Sequence, residues 1–249
     1  MPREIQLHQL PELVAPDQLA GSAVVVIDVL RASTTIAHAL SAGANCVIPC
    51  LEVEEARQLA NQLDGPTVLG GERQGLRIDG FDLGNSPGEY TADSVGGKTV
   101  VFTTTNGTKA MMRCRQAKRV LVGSFVNYSA ICRLLRPEPV VHLLCAGTDG
   151  AITREDVLAA GMMAVEISCE GDDPAQLNDQ ADLAADAFRT VTEELIEGTP
   201  LARVLAESQG GRNLIARGLG SDIETAAQID SLDVVPELDL IEWRIRTAR

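Results

Sequence analysis

Short apolar runs, most of them rich in β-branched side chains, recur along the chain, and each leads through a polar turn into a stretch with helical spacing. SAVVVIDVL (22–30) leads into RASTTIAHALSAGA, CVIPC (46–50) into LEVEEARQLANQL, and KTVVFTTT (98–105) into NGTKAMMRCRQA. RVLVGSF (119–125) leads into VNYSAICRLLR, and PVVHLLCAG (139–147) into TDGAITREDVLAAGMMAVEISCE. Strands alternating with helices at this spacing predict βαβ units. The expected fold is α/β, three αβα layers around a mostly parallel or mixed sheet, with a helical C-terminal third.

Two segments break the alternation. GPTVLGGERQGLRIDGFDLGNSPGEYTADSVGGK (65–98) is too long and too poor in periodicity for an ordinary connector, and reads as a short strand, VLGGER, followed by a long functional loop. From about Asp173 the pattern is helical, with Leu177, Ala181, Ala184, Ala185, Phe188, Val191 and Leu195 on one face. Short Gly-separated helices and a returning extended segment, SLDVVPELD, come next. The expected organisation is a core over residues 1–172 carrying the site motifs, with 173–249 packed on it as a helical layer or cap.

Composition narrows the class. Of 249 residues 45% are hydrophobic but only 3% aromatic, so the core is built from Val, Leu, Ile and Ala, and stacking platforms for nucleobases are scarce. A formal charge of −14 argues against nucleic acid or an anionic membrane as partner. An anionic ligand must then be drawn by a local positive pocket. Only Lys98, Lys109 and Lys118 are lysines among the 21 basic residues. The remaining arginines suit phosphate and carboxylate, although GC-rich coding gives the same bias. The six cysteines are scattered without zinc-site spacing, and His8, His38 and His142 stand singly and read as structural. No leader pattern or membrane-length apolar run is present, so a reduced, soluble, cytoplasmic protein is expected, with a homo-oligomer compatible.

In parallel sheets, ligands bind where strand C-terminal ends meet helix N-terminal ends, because free N–H groups and the helix dipole favour anions there. The polar turns all fall at that edge. Asp28 there reads as a metal ligand, a nucleophile or base, or a helix cap, and Arg31 adds an anion-binding fork one turn away. Ser33, Thr34 and Thr35 read as phosphate donors or as ordinary caps. GER repeats the acid–base pattern at Glu72 and Arg73, and GFDLGNSP adds Asp82, Asn85 and Ser86. TTTNGT, with Thr105, Asn106 and Gly107, is a candidate anion nest. Ser124 with Asn127, and Gly147 with Thr148, complete the strand-end turns, while Glu155 and Asp156 lie in a first helical turn. GxGxxG, GxxxxGK[ST] and GxSxG are all absent, which leaves dinucleotide, P-loop and serine-hydrolase chemistry without support.

Taken in order, DVLRASTT, GER-x-G, GFDLGNSP-x-EY, TTTNGT, GSFVN and CAGT-x-G followed by ED resemble the 2-phosphosulfolactate phosphatase family. The resemblance runs from about Val24 to AGM at 160–162 and more loosely to VVP at 234–236. It implies a Mg2+-dependent phosphatase converting 2-phospho-3-sulfolactate to 3-sulfolactate and phosphate, a step towards coenzyme M. On that resemblance the catalytic group is Asp28, Arg31 and Glu72, and Asp28, Glu72 and Asp156 are the expected metal ligands. Ser33, Thr34, Arg73, Asn85, Ser86, Thr105, Asn106, Gly107, Ser124, Asn127, Gly147 and Thr148 are the expected contacts to a small anionic phosphorylated substrate. An aspartyl-phosphate at Asp28, another phosphorylated acid as substrate, and a catalytically silent anion-binding protein stay open.

Overall fold

Ala23–Ile27 reads AVVVI, and all five side chains are buried. A strand of this kind needs a partner on each edge and a layer on each face. In the computed structural model, which describes residues 3–169 and 175–248, it has both. The strands are β1 (Glu4–His8), β2 (Ala23–Ile27), β3 (Cys46–Cys50), β4 (Thr67–Arg73), β5 (Leu76–Arg77), β6 (Thr99–Thr103), β7 (Arg119–Gly123), β8 (Val140–Cys145), β9 (Gln176–Leu177), β10 (Pro236–Asp239) and β11 (Arg244–Thr247). They form one mixed sheet in the order β5-β4-β6-β3-β11-β10-β7-β2-β8-β1-β9. β4, β6 and β3 run parallel to one another, as do β7, β2, β8, β1 and β9.

The two parallel blocks are joined by the antiparallel hairpin β10–β11, which pairs Leu238 with Val120 on one side and Ile245 with Val47 on the other. The C-terminal third is therefore more than helical, since it supplies two central strands. The physical reason is burial: Leu238 and Ile245 complete the apolar face that Val24 and Val26 begin. The N-terminal strand β1, which no sequence pattern announced, extends the sheet beside β8.

Period-two alternation divides the core. Val24 and Val26 face a layer formed by α1 (Ala32–Ser41) and α4 (Asn106–Arg113). Val25 and Ile27 face α5 (Tyr128–Leu135), α6 (Arg154–Ser168) and α7 (Asp179–Ile196). The short helices α8 (Leu201–Ala206), α9 (Gln209–Ala216) and α10 (Gly220–Ala226) bury Leu205, Leu214 and Ile223 in that same cluster. α2 (Val53–Gln62) packs Ala56 over β3 and β6, and one turn of helix, α3 (Ala92–Val95), precedes β6. The expected boundary at 172/173 lies outside the described residues, but the described chain beyond it shares its core with Ile5, Val25 and Leu143.

His8 and His142 stack in the interior with Nε2 and Nδ1 2.9 Å apart. Burial, together with His142, depresses His8 to about 4, and burial also lowers His142. Cys46, Cys50, Cys114, Cys132 and Cys145 are buried, and Cys169 is exposed. Among the described residues no helix is long and apolar enough to cross a membrane.

α6 and α7 approach closely at Gly161, where a Cβ would stand 2.1 Å from the Ala184 carbonyl oxygen. Backbone cannot yield as a flexible side chain does. Gly161→Ala is therefore expected to destabilise the fold by about 1–3 kcal/mol, read as a lowered midpoint in urea unfolding.

Candidate active site

The C-terminal ends of β2, β4, β6 and β8 and the N-terminal ends of α1, α4 and α9 border one open cleft of about 460 Å3. Helix starts carry the positive end of the dipole, and here it is met first by the protein's own acids: Asp28 accepts from the Ala32 and Gly107 N–H groups and Glu155 from the Gly210 N–H. Of the residues singled out from sequence, Asp28, Arg31, Glu72, Arg73, Asn85, Thr105, Asn106 and Thr148 line it. Ser33, Thr34, Ser86, Gly107, Ser124, Asn127, Gly147 and Asp156 do not.

Asp28 follows β2 and is only 8% exposed. Its Oδ1 accepts the Ala32 N–H at 3.2 Å, so it caps α1 and faces the cleft at once. α4 closes upon it at Gly107, where a Cβ would lie 2.9 Å from Oδ2. Burial raises the Asp28 carboxyl to about 7, with Glu72 and Glu155 pushing the same way and the N–H groups of Ala32 and Gly107 opposing. A carboxyl held there exchanges its proton near neutrality, as an acid–base group needs to.

The hydroxyls after Arg31 serve structure. Ser33 Oγ accepts the Asp28 N–H at 2.9 Å, Thr34 Oγ1 donates to Val29 O at 2.8 Å, and Thr35 Oγ1 donates to Asn85 O at 2.9 Å. They lock the strand-to-helix turn and anchor the GNSP loop. Asp156 is likewise committed: Oδ1 accepts the Val29 N–H at 2.8 Å, and Oδ2 accepts Gly147 N–H and Thr153 Oγ1 at 3.0 and 3.2 Å. It ties the ends of β2 and β8 together beneath the cleft, and Gly147 is its backbone partner. Beside it, Glu155 is buried against the start of α9, where Ser208 and the Gly210 N–H hydrogen-bond to it.

Arg31 is clamped. Nη1 donates to Asp222 Oδ2 at 2.8 Å and Ser86 Oγ at 3.2 Å, and Nη2 donates to Gly75 O at 2.9 Å. Ser86 Oγ also donates to Asp222, at 2.8 Å. One guanidinium thus joins β2, the loops after β4, and α10. Arg73 Nη1 and Nη2 donate to the Glu72 and Leu51 carbonyls, while Glu72 Oε2 accepts the Gly75 N–H at 2.7 Å. Asn106 Oδ1 accepts the Asp149 N–H at 3.4 Å, and Asn85 Oδ1 has no partner among the described residues.

Ser124 and Asn127 lie apart, fully buried. Asn127 Oδ1 accepts the Ser124 N–H at 3.0 Å and its Nδ2 donates to Val122 O and Val234 O, pinning the turn after β7 to the C-terminal segment. Asp82 Oδ2 accepts the Leu69 N–H at 2.8 Å and belongs to the loop. Unforeseen are Asp222, and Asn213, Leu214 and Arg217 of the wall formed by α9. The sequence signals for them were the glycine punctuation of GGRNLIARGLG around the α9 residues and the helical pattern of SDIETAAQID around Asp222, neither of which says where the helices dock.

A family model described as 2-phosphosulpholactate phosphatase matches residues 8–240. The chain belongs to the 2-phosphosulfolactate phosphatase family. Relatives include the probable 2-phosphosulfolactate phosphatase of Symbiobacterium thermophilum, 41% identical over 88% of this chain and 92% of that protein. That of Carboxydothermus hydrogenoformans is 40% identical over 94% of each, and that of Thermotoga maritima 39% identical over 86% and 88%.

The metal expected in this family can be tested against the donors present. Among the described residues, no three His, Cys, Asp or Glu side chains group as an all-protein cage. Magnesium does not require one, because it commonly takes one or two carboxylates and completes its shell with water and phosphate oxygens. Asp28 and Glu72 fit that pattern: both line the cleft, Asp28 carries only backbone N–H partners, and the negative charge of Glu72 pushes the Asp28 carboxyl up, as two acids sharing a cation site would. Asp156, which does not line the cleft and whose oxygens accept three hydrogen bonds beneath it, does not fit.

Two outcomes follow from this geometry. Because Asp28 is held near 7 when folded against an ordinary value of 3.8, its ionisation progressively opposes folding as pH rises from about 4 to 7, and fully above that. Asp28→Asn in metal-free protein is expected to add about 2–4 kcal/mol at pH 8 and nothing at pH 3.5, as measured by thermal unfolding at both pH values. Asp222→Ala, which leaves Arg31 charged, buried and unpaired, is expected to cost about 3–5 kcal/mol in urea unfolding.

Proposed function

We propose that the protein is a magnesium-dependent phosphatase that hydrolyses 2-phospho-3-sulfolactate to 3-sulfolactate and phosphate, a step towards coenzyme M. The observation that carries this reading is the match from residue 8 to residue 240 to 2-phosphosulfolactate phosphatases. The cleft supports it chemically, bringing a perturbed carboxylate, a second acid, arginines and three helix starts together.

Asp28 and Glu72 hold the cation, which when bound supplies charge neutralisation to the phosphoryl oxygens. Thr105 and Asn106, at the start of α4, bind those oxygens and favour the charge that spreads over them as the group transfers. Asp28 orients the attacking water and takes one of its protons as the water oxygen adds to phosphorus. The ester P–O bond breaks with its electron pair on the leaving oxygen, which takes a proton from solvent to end as the hydroxyl of sulfolactate, and Asp28 returns its proton to solvent. Arg31 acts through the loop and helix that it fastens, and is a positioning residue.

Phosphate release from phosphosulfolactate and from other phosphorylated small acids, with and without magnesium, tests the reading. Expected are a preference for phosphosulfolactate, loss of activity on chelation with recovery on adding magnesium, and a fall in kcat of about 10³-fold for Asp28→Asn. No phosphate from any substrate overturns the phosphatase. A stronger preference for another phospho-acid reassigns the substrate, and a trapped phosphoenzyme absent from Asp28→Asn converts Asp28 from base to nucleophile.

A further inference from the structure

Among the described residues three arginines line the cleft, and their situations differ. Arg31 is neutralised by Asp222 at 2.8 Å. Arg73 has no carboxylate partner among the described residues, but both of its Nη atoms are occupied by carbonyls. Arg217, at the C-terminal cap of α9, donates from Nε to Gln74 O at 2.9 Å and from Nη1 to Asn213 O at 2.8 Å. Its Nη2 has no partner among the described residues, and no acid pairs with it there. Arg217 is thus an uncompensated cleft cation with donor capacity left over.

Arg217 is exposed, and those two hydrogen bonds restrain its guanidinium at the rim of the cleft. Gln74 and Gly75 both adopt left-handed backbone, with φ of 54° and 79°. A Cβ on Gly75 would stand 2.7 Å from Arg217 Nε. Through the same Gly75, the N–H binds Glu72 and the carbonyl binds Arg31. One turn therefore sets Arg217 in register with the acid proposed to hold the cation and with the clamp that fastens the C-terminal helices. A restrained, unpaired guanidinium loses little conformational freedom on binding a planar or tripodal oxyanion.

We propose that Arg217 recognises the second acid group of the substrate, the sulfonate or carboxylate remote from the scissile phosphate. It thereby sets the preference for phosphorylated acids over phosphate esters of neutral alcohols. The assignment rests on the phosphatase reading for its substrate, but binding tests it without turnover. Asp28, Glu72 and the start of α4 occupy strand ends, whereas Arg217 stands on the α9 wall, so the two ends of a small acid meet different parts of the fold.

Calorimetric titration of 3-sulfolactate and, separately, inorganic phosphate into wild type, Arg217→Gln and Arg217→Lys provides the test. Expected is about tenfold or greater weakening for sulfolactate in Arg217→Gln, partial recovery in Arg217→Lys, and unchanged phosphate affinity. In turnover, KM for a phosphorylated acid rises by a similar factor with kcat nearly unchanged, while KM for phenyl phosphate stays constant. Sulfolactate affinity equal in wild type and Arg217→Gln overturns the proposal, as does absence of sulfolactate binding to wild type, or a parallel loss for phosphate. Wild type that binds sulfolactate through Arg217 yet releases no phosphate supports the recognition role and overturns the phosphatase reading alone.

Discussion

The cleft depends on the buried ion pair between Arg31 and Asp222, whose side chains are 4% and 6% exposed. Taking two charges out of water costs several kcal/mol apiece, and their attraction offsets this only when the remaining donors are also satisfied. Here Ser86 and the Gly75 carbonyl supply the extra bonds. The contribution is register more than net stability: one guanidinium holds the strand end that carries Asp28, the GNSP loop, and α10. α9 is then oriented from both sides, by Glu155 at its start and by the Arg217 hydrogen bond to Gln74 O at its end.

Around this point, buried carboxyl groups divide their tasks by the bonds available to them. Asp28, Glu155 and Asp156 are all buried, and burial raises each of them. Asp156 meets two backbone N–H groups and a hydroxyl, and becomes a bracket between β2 and β8. Glu155 meets the start of α9 and ties that wall down. Asp28 alone of the three lines the cleft, and its proton is the one positioned to respond to a ligand.

The βαβ grammar was legible because period-two and period-3.6 patterns are local, and the strand-end turns were correctly gathered at one edge because parallel topology forces it. Asp28, Glu72, Arg73, Asn106 and Thr148 belong to that success. The three hydroxyls of Ser33–Thr35 show where such reasoning stops. Composition cannot distinguish a donor aimed at phosphate from one turned back to Val29 O or Asn85 O, since that choice is a rotamer set by packing. Ser124 and Asn127 failed differently: they do follow a strand end, but the segment around Val234 lies over them.

Local pattern was enough to specify an α/β chain with a buried sheet, polar strand-end turns and an acidic surface, because each of these follows from neighbouring residues. The identity of the far wall was not specified. Asp222 and Arg217 lie in unremarkable short helices, and the hairpin β10–β11 is brief and partly polar. Their roles arise from contacts spanning 191 residues for Asp222 with Arg31 and 143 for Arg217 with Gln74. Such contacts are selected by how completed layers fit around a shared core, an arrangement to which no short stretch of chain has access.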